Sequence, residues 1–318
     1  MAIRDIGLVL DGGGGKGAYQ IGVWKALRET GLDQRIAVIS GASVGGLNAA
    51  LMVQGDPEKA EQIWFRELDS LIPTRIHMWV SEIMARYLDL SCFSRSEMEC
   101  WLAAYCSSFG ESRVQCVEWE GTQPRKYRRG KVHYFNMRGC SERERQTLLL
   151  DKTLNSSIML ATCALPLLCK SKKIDGLRYR DGGIRDNSPL HPVTDIPYMQ
   201  RCSQQCKTVI VIHLDPIEYD HDPLLWNGTS LLQITPDAAL GNLLTGTLNF
   251  NIENAKRLAE AGYRESLPLF QDFLASERKA QSAVSLENRR SALKQKHIRE
   301  NLDALARLQE FKNGGNGS

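Results

Sequence analysis

The first fifty residues alternate short apolar runs with small-residue turns and amphipathic stretches. Ile6 to Leu10 is a continuous apolar run that ends at a string of glycines, and Ile36 to Ile39 is a second run that ends at another small-residue turn. Between them, apolar residues recur at helical spacing from Lys16 to Thr30, and a further helix is predicted after Ser43. Strand, turn and helix repeated in this way predict a parallel sheet with right-handed crossovers, which is an α/β fold.

The rest of the chain gives a less regular pattern. We predict helices over four segments: Pro57 to Leu68, Ser81 to Asp89, Ser96 to Tyr105 and Leu154 to Cys163. We predict strands over four others: Val114 to Trp119, Val132 to Met137, Ile174 to Tyr179 and Thr208 to Leu214. The basic segment Pro124 to Lys131 is interpreted as an exposed hairpin loop.

The chain is predicted to divide into three segments. Residues 1–275 form the main domain, and residues 70–140 within it are interpreted as an insertion or cap with a β-hairpin. Residues 239–275 are predicted to be helical, and residues 276–312 to form one or two charged amphipathic helices that pack on the body or meet a partner. Residues 313–318 are predicted to be a disordered tail.

Composition narrows the class of protein without naming a function. The formal net charge of +3 and the lack of long basic runs disfavour nucleic acid as a partner. No signal peptide and no apolar run of membrane-spanning length is visible. The nine cysteines are scattered, with no metal-ligand spacing, so we expect reduced thiols, no metal and a cytoplasmic protein, with weak attraction to an anionic membrane surface at most.

A serine at a strand-to-helix turn is the main candidate for chemistry. Gly41-Ala42-Ser43-Val44-Gly45 has the GxSxG pattern, in which flanking glycines let a sharp turn expose the serine hydroxyl. The helix that follows brings its positive end near the oxyanion formed on attack. The alternative interpretation is a glycine-rich turn with a surface serine.

The glycine run after the first strand admits three uses. Gly12, Gly13, Gly14, Gly15 and Gly17 surround Lys16 in a loop whose backbone N–H groups an anionic oxygen can approach. A P-loop is disfavoured because the glycine and Ser/Thr positions do not fit. A dinucleotide-binding domain stays open, since the GxGxxG pattern is present, but no acidic residue ends the second strand. An oxyanion hole explains both glycine turns together, because neighbouring parallel strands end at the same sheet edge.

The serine also needs a proton acceptor. His191, in a turn, and His213, in a buried apolar run, are each interpreted as structural histidines. Asp181, followed by Gly182 and Gly183, is presented much as Ser43 is, although Asp-Gly is also a common turn pair. The lysines that precede it are interpreted first as solvated charges and second as contacts for lipid phosphate; they are Lys170, Lys172 and Lys173.

Four blocks in order resemble the patatin-like phospholipases. They are the Gly12–Gly17 loop, the Gly41–Gly45 turn, Ala161-Thr162-Cys163-Ala164-Leu165-Pro166, and Asp181-Gly182-Gly183 continuing to Asp186-Asn187-Ser188-Pro189. The resemblance extends from about Ile6 to about Tyr263, and departures are few: Lys16 replaces a commoner arginine and Thr162 a commoner serine. Neither departure is expected to touch the chemistry.

The resemblance implies a three-layer α/β sandwich with a mostly parallel central sheet and a Ser–Asp dyad. Ser43 would attack an ester, Asp181 would accept its proton, and the N–H groups of Gly12 to Gly14 would bind the oxyanion without a cofactor. We therefore expect a lipid acyl hydrolase acting on phospholipid or another acyl ester. A dinucleotide-binding domain and a non-catalytic scaffold are the competing hypotheses.

Overall fold

A computed structural model gives the fold of most of the chain. It describes residues 3–67, 76–108, 116–120, 123–129, 131–138, 153–166, 168–194, 206–216 and 229–314. The strands are β1 (Ile6–Leu10), β2 (Ile36–Ala42), β3 (Glu99–Cys106), β4 (Cys116–Glu120), β5 (Gln123–Arg129), β6 (Val132–Asn136), β7 (Lys172–Ile174), β8 (Leu177–Asp181), β9 (Thr208–Ile212) and β10 (Ser230–Ile234). The helices are α1 (Ala18–Glu29), α2 (Val44–Gln54), α3 (Pro57–Gln62), α4 (Ile76–Arg86), α5 (Cys92–Arg95), α6 (Thr153–Thr162), α7 (His191–Thr194) and α8 (Ile252–Gly314).

All these strands belong to one mixed sheet with a parallel run at its centre. The order β10-β9-β1-β2-β3 is parallel throughout, and β6, β5 and β4 extend it antiparallel beyond β3. Strands β1, β2 and β9 are buried on both faces, which explains why they are continuous apolar runs without alternation. The predicted α/β fold with a mostly parallel central sheet is confirmed for these strands.

The sheet also explains how two distant turns come together. One edge of β3 pairs with β2 as far as Ala42, which lies opposite Ala103. The next residue of β3, Ala104, lies opposite Asp181, because β8 takes over that edge in the antiparallel direction. The last residue of β2 and the last residue of β8 therefore lie side by side, because they pair with consecutive residues of β3.

Two predicted elements are wrong. The segment 96–105, predicted to be a helix, contains most of the strand β3, because hydrogen-bonded pairing with β2 and β6 along its two edges holds this buried sequence in the sheet. Part of the segment 70–140, predicted to be an insertion or cap, is therefore the strand β3, which pairs within the sheet. The basic segment predicted to be a loop forms most of β5, which pairs with β4 and β6.

The C-terminal region is a single long helix. The predicted helix over 239–275 begins only at Ile252, after a short π-helical turn at Leu243–Thr247, and α8 then continues to Gly314. The chain divides into two compact units, Met1–Leu267 and Pro268–Ser318, so the second unit consists of the later part of α8. The predicted tail at 313–318 lies outside the described residues except for its first two, which end this helix. In the part of the chain that the structure describes, no helix combines the length and apolar character needed to cross a bilayer.

Candidate active site

Ser43 occupies a strained turn between β2 and α2. Its φ of 55° and ψ of −127° place a non-glycine residue in a conformation that costs free energy and persists only where the surroundings enforce it. The flanking glycines allow the tight packing: a Cβ on Gly45 would lie 2.4 Å from the Leu10 carbonyl oxygen, and one on Gly41 would lie 2.5 Å from the Gly45 backbone. This strand–turn–helix geometry is the structural context that the GxSxG pattern requires.

Thr162, the last residue of α6, holds the strained turn through its hydroxyl group. Its Oγ1 accepts a hydrogen bond from the Ser43 N–H at 3.1 Å and donates one to the Ala103 carbonyl at 2.7 Å. The methyl group of the same side chain packs near Gly46, where a Cβ would lie 3.1 Å from it. We did not expect Thr162 to touch the chemistry, but the structure connects it directly to the backbone of the candidate nucleophile.

Asp181 lies at the end of β8, beside the Ser43 turn, and is only 1% exposed. Its Oδ1 accepts a hydrogen bond from the Gly183 N–H at 2.9 Å, while its Oδ2 accepts none from the described residues. Desolvation raises the pKa of Asp181 to about 7, against the lowering effects of the Ser43 side chain and the Gly183 N–H. The carboxyl therefore has one fixed oxygen, and a second that is available to accept a proton.

Gly182 and Gly183 let the chain turn directly after Asp181. A Cβ on Gly182 would lie 2.3 Å from the Ala103 carbonyl oxygen, and one on Gly183 would lie 2.8 Å from Asn187 Oδ1. A side chain at position 182 would collide with backbone, whereas one at position 183 would have to displace the Asn187 side chain. The predicted Asp-Gly-Gly block is thus a second tight turn, at the same sheet edge as the first.

The glycine loop after β1 reaches the same edge. A Cβ on Gly12 would lie 3.1 Å from the Ser43 Cβ, so the loop passes next to the candidate nucleophile. Asn187 fixes Gly12 by two hydrogen bonds: its carbonyl accepts from the Gly12 N–H at 3.1 Å, and its side-chain amide donates to the Gly12 carbonyl at 3.1 Å.

These bonds change the expected set of oxyanion donors. The Gly12 N–H already donates to Asn187, so in this conformation it is not available to an oxyanion, contrary to our expectation. No described backbone carbonyl accepts from the N–H groups of Gly13 and Gly14, and Gly14 has the positive φ of 56° that favours glycine. These two remain the candidate donors.

The second half of the glycine loop packs against the segment between β10 and α8. Cβ atoms on Gly14 and Gly15 would lie 2.1 Å from the Thr247 carbonyl oxygen and 2.0 Å from that of Asn249. Gly17 is equally enclosed, with a Cβ position 2.6 Å from a methyl carbon of Val44. Carbonyl oxygens repel a pyrophosphate, so this packing disfavours the dinucleotide interpretation of the loop.

A buried polar network anchors the loop at its first residue. The Asp11 carboxylate accepts hydrogen bonds from the Ser188 hydroxyl and, at 3.0 Å, from Nδ1 of His213, whose Nε2 lies 3.1 Å from Gln233 Oε1. The Asp11 carbonyl accepts from Gln20 at 2.8 Å. His213 thus has a structural role, and the network ties β1 to the segment that follows Asp181.

The remaining charged residues singled out from the sequence are lysines and one histidine outside the proposed dyad. Lys16 is buried and forms a salt bridge of 2.6 Å with Asp215. Lys172 and Lys173 lie on β7, in the hairpin that leads to Asp181, and desolvation lowers the pKa of Lys172. His191 begins α7. The described residues hold no cluster of three or more His, Cys, Asp or Glu side chains placed to bind a metal ion.

Comparisons with known proteins assign most of this part of the chain to one family. A family model described as patatin-like phospholipase matches residues 8–194. Lysophospholipase nte1 of Aspergillus terreus is 33% identical over 123 residues, which are 35% of this chain and 8% of that protein. The patatin-like phospholipase domain-containing protein ZK370.4 of Caenorhabditis elegans is 35% identical over 89 residues, 27% of this chain and 6% of that protein. The chain thus spans less than a tenth of the length of these relatives.

Solved structures align with this chain at low sequence identity. Human GIVD cytosolic phospholipase A2 aligns with 87% of this chain and 60% of its own, at 11% identity and a TM-score of 0.48. VipD from Legionella pneumophila aligns with 85% of this chain and 67% of its own, at 13% identity and a TM-score of 0.46.

Proposed function

The chain belongs to the patatin-like phospholipase family, and from this premise we propose that it is a lipid acyl hydrolase with a Ser43–Asp181 dyad. The substrate would be a phospholipid, a lysophospholipid or another carboxylic ester of a fatty acid. The single observation that carries the proposal is the meeting of the Ser43 turn and the buried Asp181 carboxyl on neighbouring residues of β3. Two glycine turns and a base are then present at one sheet edge.

In the proposed reaction, Ser43 Oγ attacks the ester carbonyl while its proton passes to Asp181 Oδ2. Oδ1 keeps its hydrogen bond to the Gly183 N–H and so holds the carboxylate in orientation. The N–H groups of Gly13 and Gly14 bind the tetrahedral oxyanion, each such donor being worth roughly 3 kcal/mol of barrier. The proton on Asp181 is then given to the leaving alcohol, and an acyl-serine forms.

Hydrolysis of the acyl-serine repeats these steps with water. Asp181 takes a proton from the water, whose oxygen attacks the acyl carbonyl, and the Ser43 alkoxide leaves with the proton that Asp181 returns. A carboxyl group with a pKa of about 7 suits both directions, because it can accept and donate protons near neutral pH.

The pH dependence of catalysis tests the role of Asp181. Since the base must be ionised, kcat/KM for a short-chain p-nitrophenyl ester should rise about tenfold per pH unit below pH 7 and level off above it. Ser43→Ala and Asp181→Asn should each lower kcat by at least about a hundredfold. The exposed Ser282→Ala serves as a matched control and should keep the wild-type rate. Wild-type turnover by Ser43→Ala would refute the proposal.

The nature of the ester is tested with lipids. We expect the wild-type chain to release fatty acid from a mixed phospholipid extract, detected by mass spectrometry, and Ser43→Ala to release none. A fluorophosphonate should label Ser43 and block both activities. Contact with a membrane surface stays a prediction, which co-sedimentation of the Ser43→Ala chain with vesicles would test.

A further inference from the structure

A cleft lined by two basic side chains lies beside β3, β6 and the turn that follows Asp181. Its volume is about 530 Å³, within the range of small-ligand sites. Tyr105 of β3, next to the residue that pairs with Asp181, forms one wall, and the turn after Asp181 forms another. The residues that line the cleft are Tyr105, Lys131, Val132, Tyr134, Arg185, Asp186 and His191.

The two basic side chains in this cleft, Arg185 and Lys131, have no acidic partner among the residues described. Arg185 and Lys131 are exposed, and none of the described carboxylates forms a salt bridge with either of them. The Arg185 guanidinium lies 5.7 Å from the centre of the Tyr105 ring, a cation–π contact that restrains its position without neutralising its charge. A single exposed cation is ordinary, but two that line one concave surface create a positive potential there.

The carboxylate of the cleft is directed into its wall. Asp186 Oδ2 accepts a hydrogen bond of 2.5 Å from the hydroxyl group of the buried Tyr134. The His191 ring lies 6.1 Å from the Tyr134 ring, on the same wall. This arrangement reduces the competition of Asp186 for Arg185 and Lys131, so that an anion can approach them.

We propose that this cleft binds a phosphate monoester group, carried either by a small soluble molecule or by a lipid headgroup. A planar guanidinium can give a phosphate two parallel hydrogen bonds, and an ammonium group adds a mobile point charge. A group with nearly two negative charges matches two uncompensated cations better than a monoanion does. The volume admits a phosphate together with a glycerol-sized substituent.

The cleft is connected to the proposed active site by a short rigid segment. The N–H groups of Arg185 and Asp186 donate to the Gly182 carbonyl at 3.1 and 3.0 Å, so this part of the chain moves with the turn after Asp181. The next residue, Asn187, forms both hydrogen bonds that fix Gly12. A bound phosphate would therefore restrain the segment that carries the base and positions the oxyanion loop.

Isothermal titration calorimetry of the full chain with glycerol 3-phosphate tests the soluble ligand, with glycerol as the neutral comparison. We expect binding of glycerol 3-phosphate only, weakened about tenfold or more in Arg185→Gln and in Lys131→Gln. Arg95→Gln removes the charge of an exposed arginine that does not line the cleft, and this variant should bind as the wild type does.

Vesicles test the lipid source. The Ser43→Ala chain should co-sediment with phosphatidylcholine vesicles that contain phosphatidic acid and less with vesicles of phosphatidylcholine alone, and Arg185→Gln should abolish the difference. Either arm alone supports the cleft and identifies its source of phosphate. The proposal would be overturned if neither glycerol 3-phosphate nor the phosphatidic acid vesicles bound, or if Arg185→Gln and Arg95→Gln weakened binding equally. Because both measurements record binding and not turnover, a failed hydrolase proposal leaves the result interpretable.

Discussion

The buried Asp181 should make the protein less stable at high pH, and replacing it should reverse that effect. In the unfolded chain its pKa is near 3.8, and in the folded protein desolvation raises it to about 7. Well below pH 3.8 the carboxyl is protonated in both states and costs nothing. As the pH rises towards 7 the unfolded state releases the proton first, so stability falls, and above pH 7 the whole cost is present.

The magnitude follows from the shift. A difference of about 3 pH units corresponds to about 4 kcal/mol at pH 8, since one unit is worth 1.36 kcal/mol. At pH 5 only about a third of this has been lost, so the change between pH 5 and pH 8 is about 3 kcal/mol. Asp181→Asn has nearly the same shape and no charge. Relative to the wild type it should therefore gain about 3 kcal/mol between these two pH values.

Urea unfolding at pH 5, 6, 7 and 8 measures this difference. Comparing the two proteins across pH cancels any pH-independent effect of the substitution on packing or hydrogen bonding. Asp175→Asn, in the exposed turn between β7 and β8, is the matched control and should follow the wild type at every pH. If the curves of the wild type and of Asp181→Asn run parallel from pH 5 to pH 8, Asp181 does not have the raised pKa on which the proposed base depends.

Three further predictions concern the turns of the site. Thr162→Val leaves the Ser43 N–H without its acceptor and should cost about 1–3 kcal/mol of stability and lower kcat about tenfold, whereas Thr162→Ser should behave as the wild type in urea unfolding and in ester hydrolysis. Asp11→Asn weakens the network under the glycine loop, and steady-state kinetics should show kcat falling more than KM rises; an unchanged kcat would contradict a positioning role. Gly45→Ala places a Cβ 2.4 Å from the Leu10 carbonyl oxygen and should lower the free energy of unfolding by about 3 kcal/mol or more.

The sequence predicted the first part of the fold and the positions of both turns. Continuous apolar runs that end in glycines are a local signal of buried parallel strands, and β1, β2 and β9 follow it. The pairing of Ser43 with Asp181 came from the family resemblance, since 138 residues separate them and no local pattern connects them. Only the pairing of β8 with β3 makes them neighbours.

The errors have two physical causes. The segment containing β3 includes Leu102, Ala103 and Ala104, residues that favour helices, and its strand conformation is imposed by pairing with β2 and β6. The roles of Thr162 and Asn187 depend on single hydrogen bonds to backbone groups of distant turns. Such bonds leave no periodic pattern, although the position of Thr162 at the end of a helix before Pro166 was visible.

The order of the central strands limits where a recombinant fragment of this protein can end. Strand β1 pairs on one side with β2 and on the other with β9, which lies beyond residue 194, where the match to the family model ends. A recombinant fragment that stops at this boundary would leave the second edge of β1 open, with apolar side chains on both faces and unpaired peptide groups along its length. A fragment for expression should therefore extend through β9 and β10 to the start of α8, because the part of the chain beyond residue 194 supplies one of the two strand neighbours of β1, the strand that carries the glycine loop.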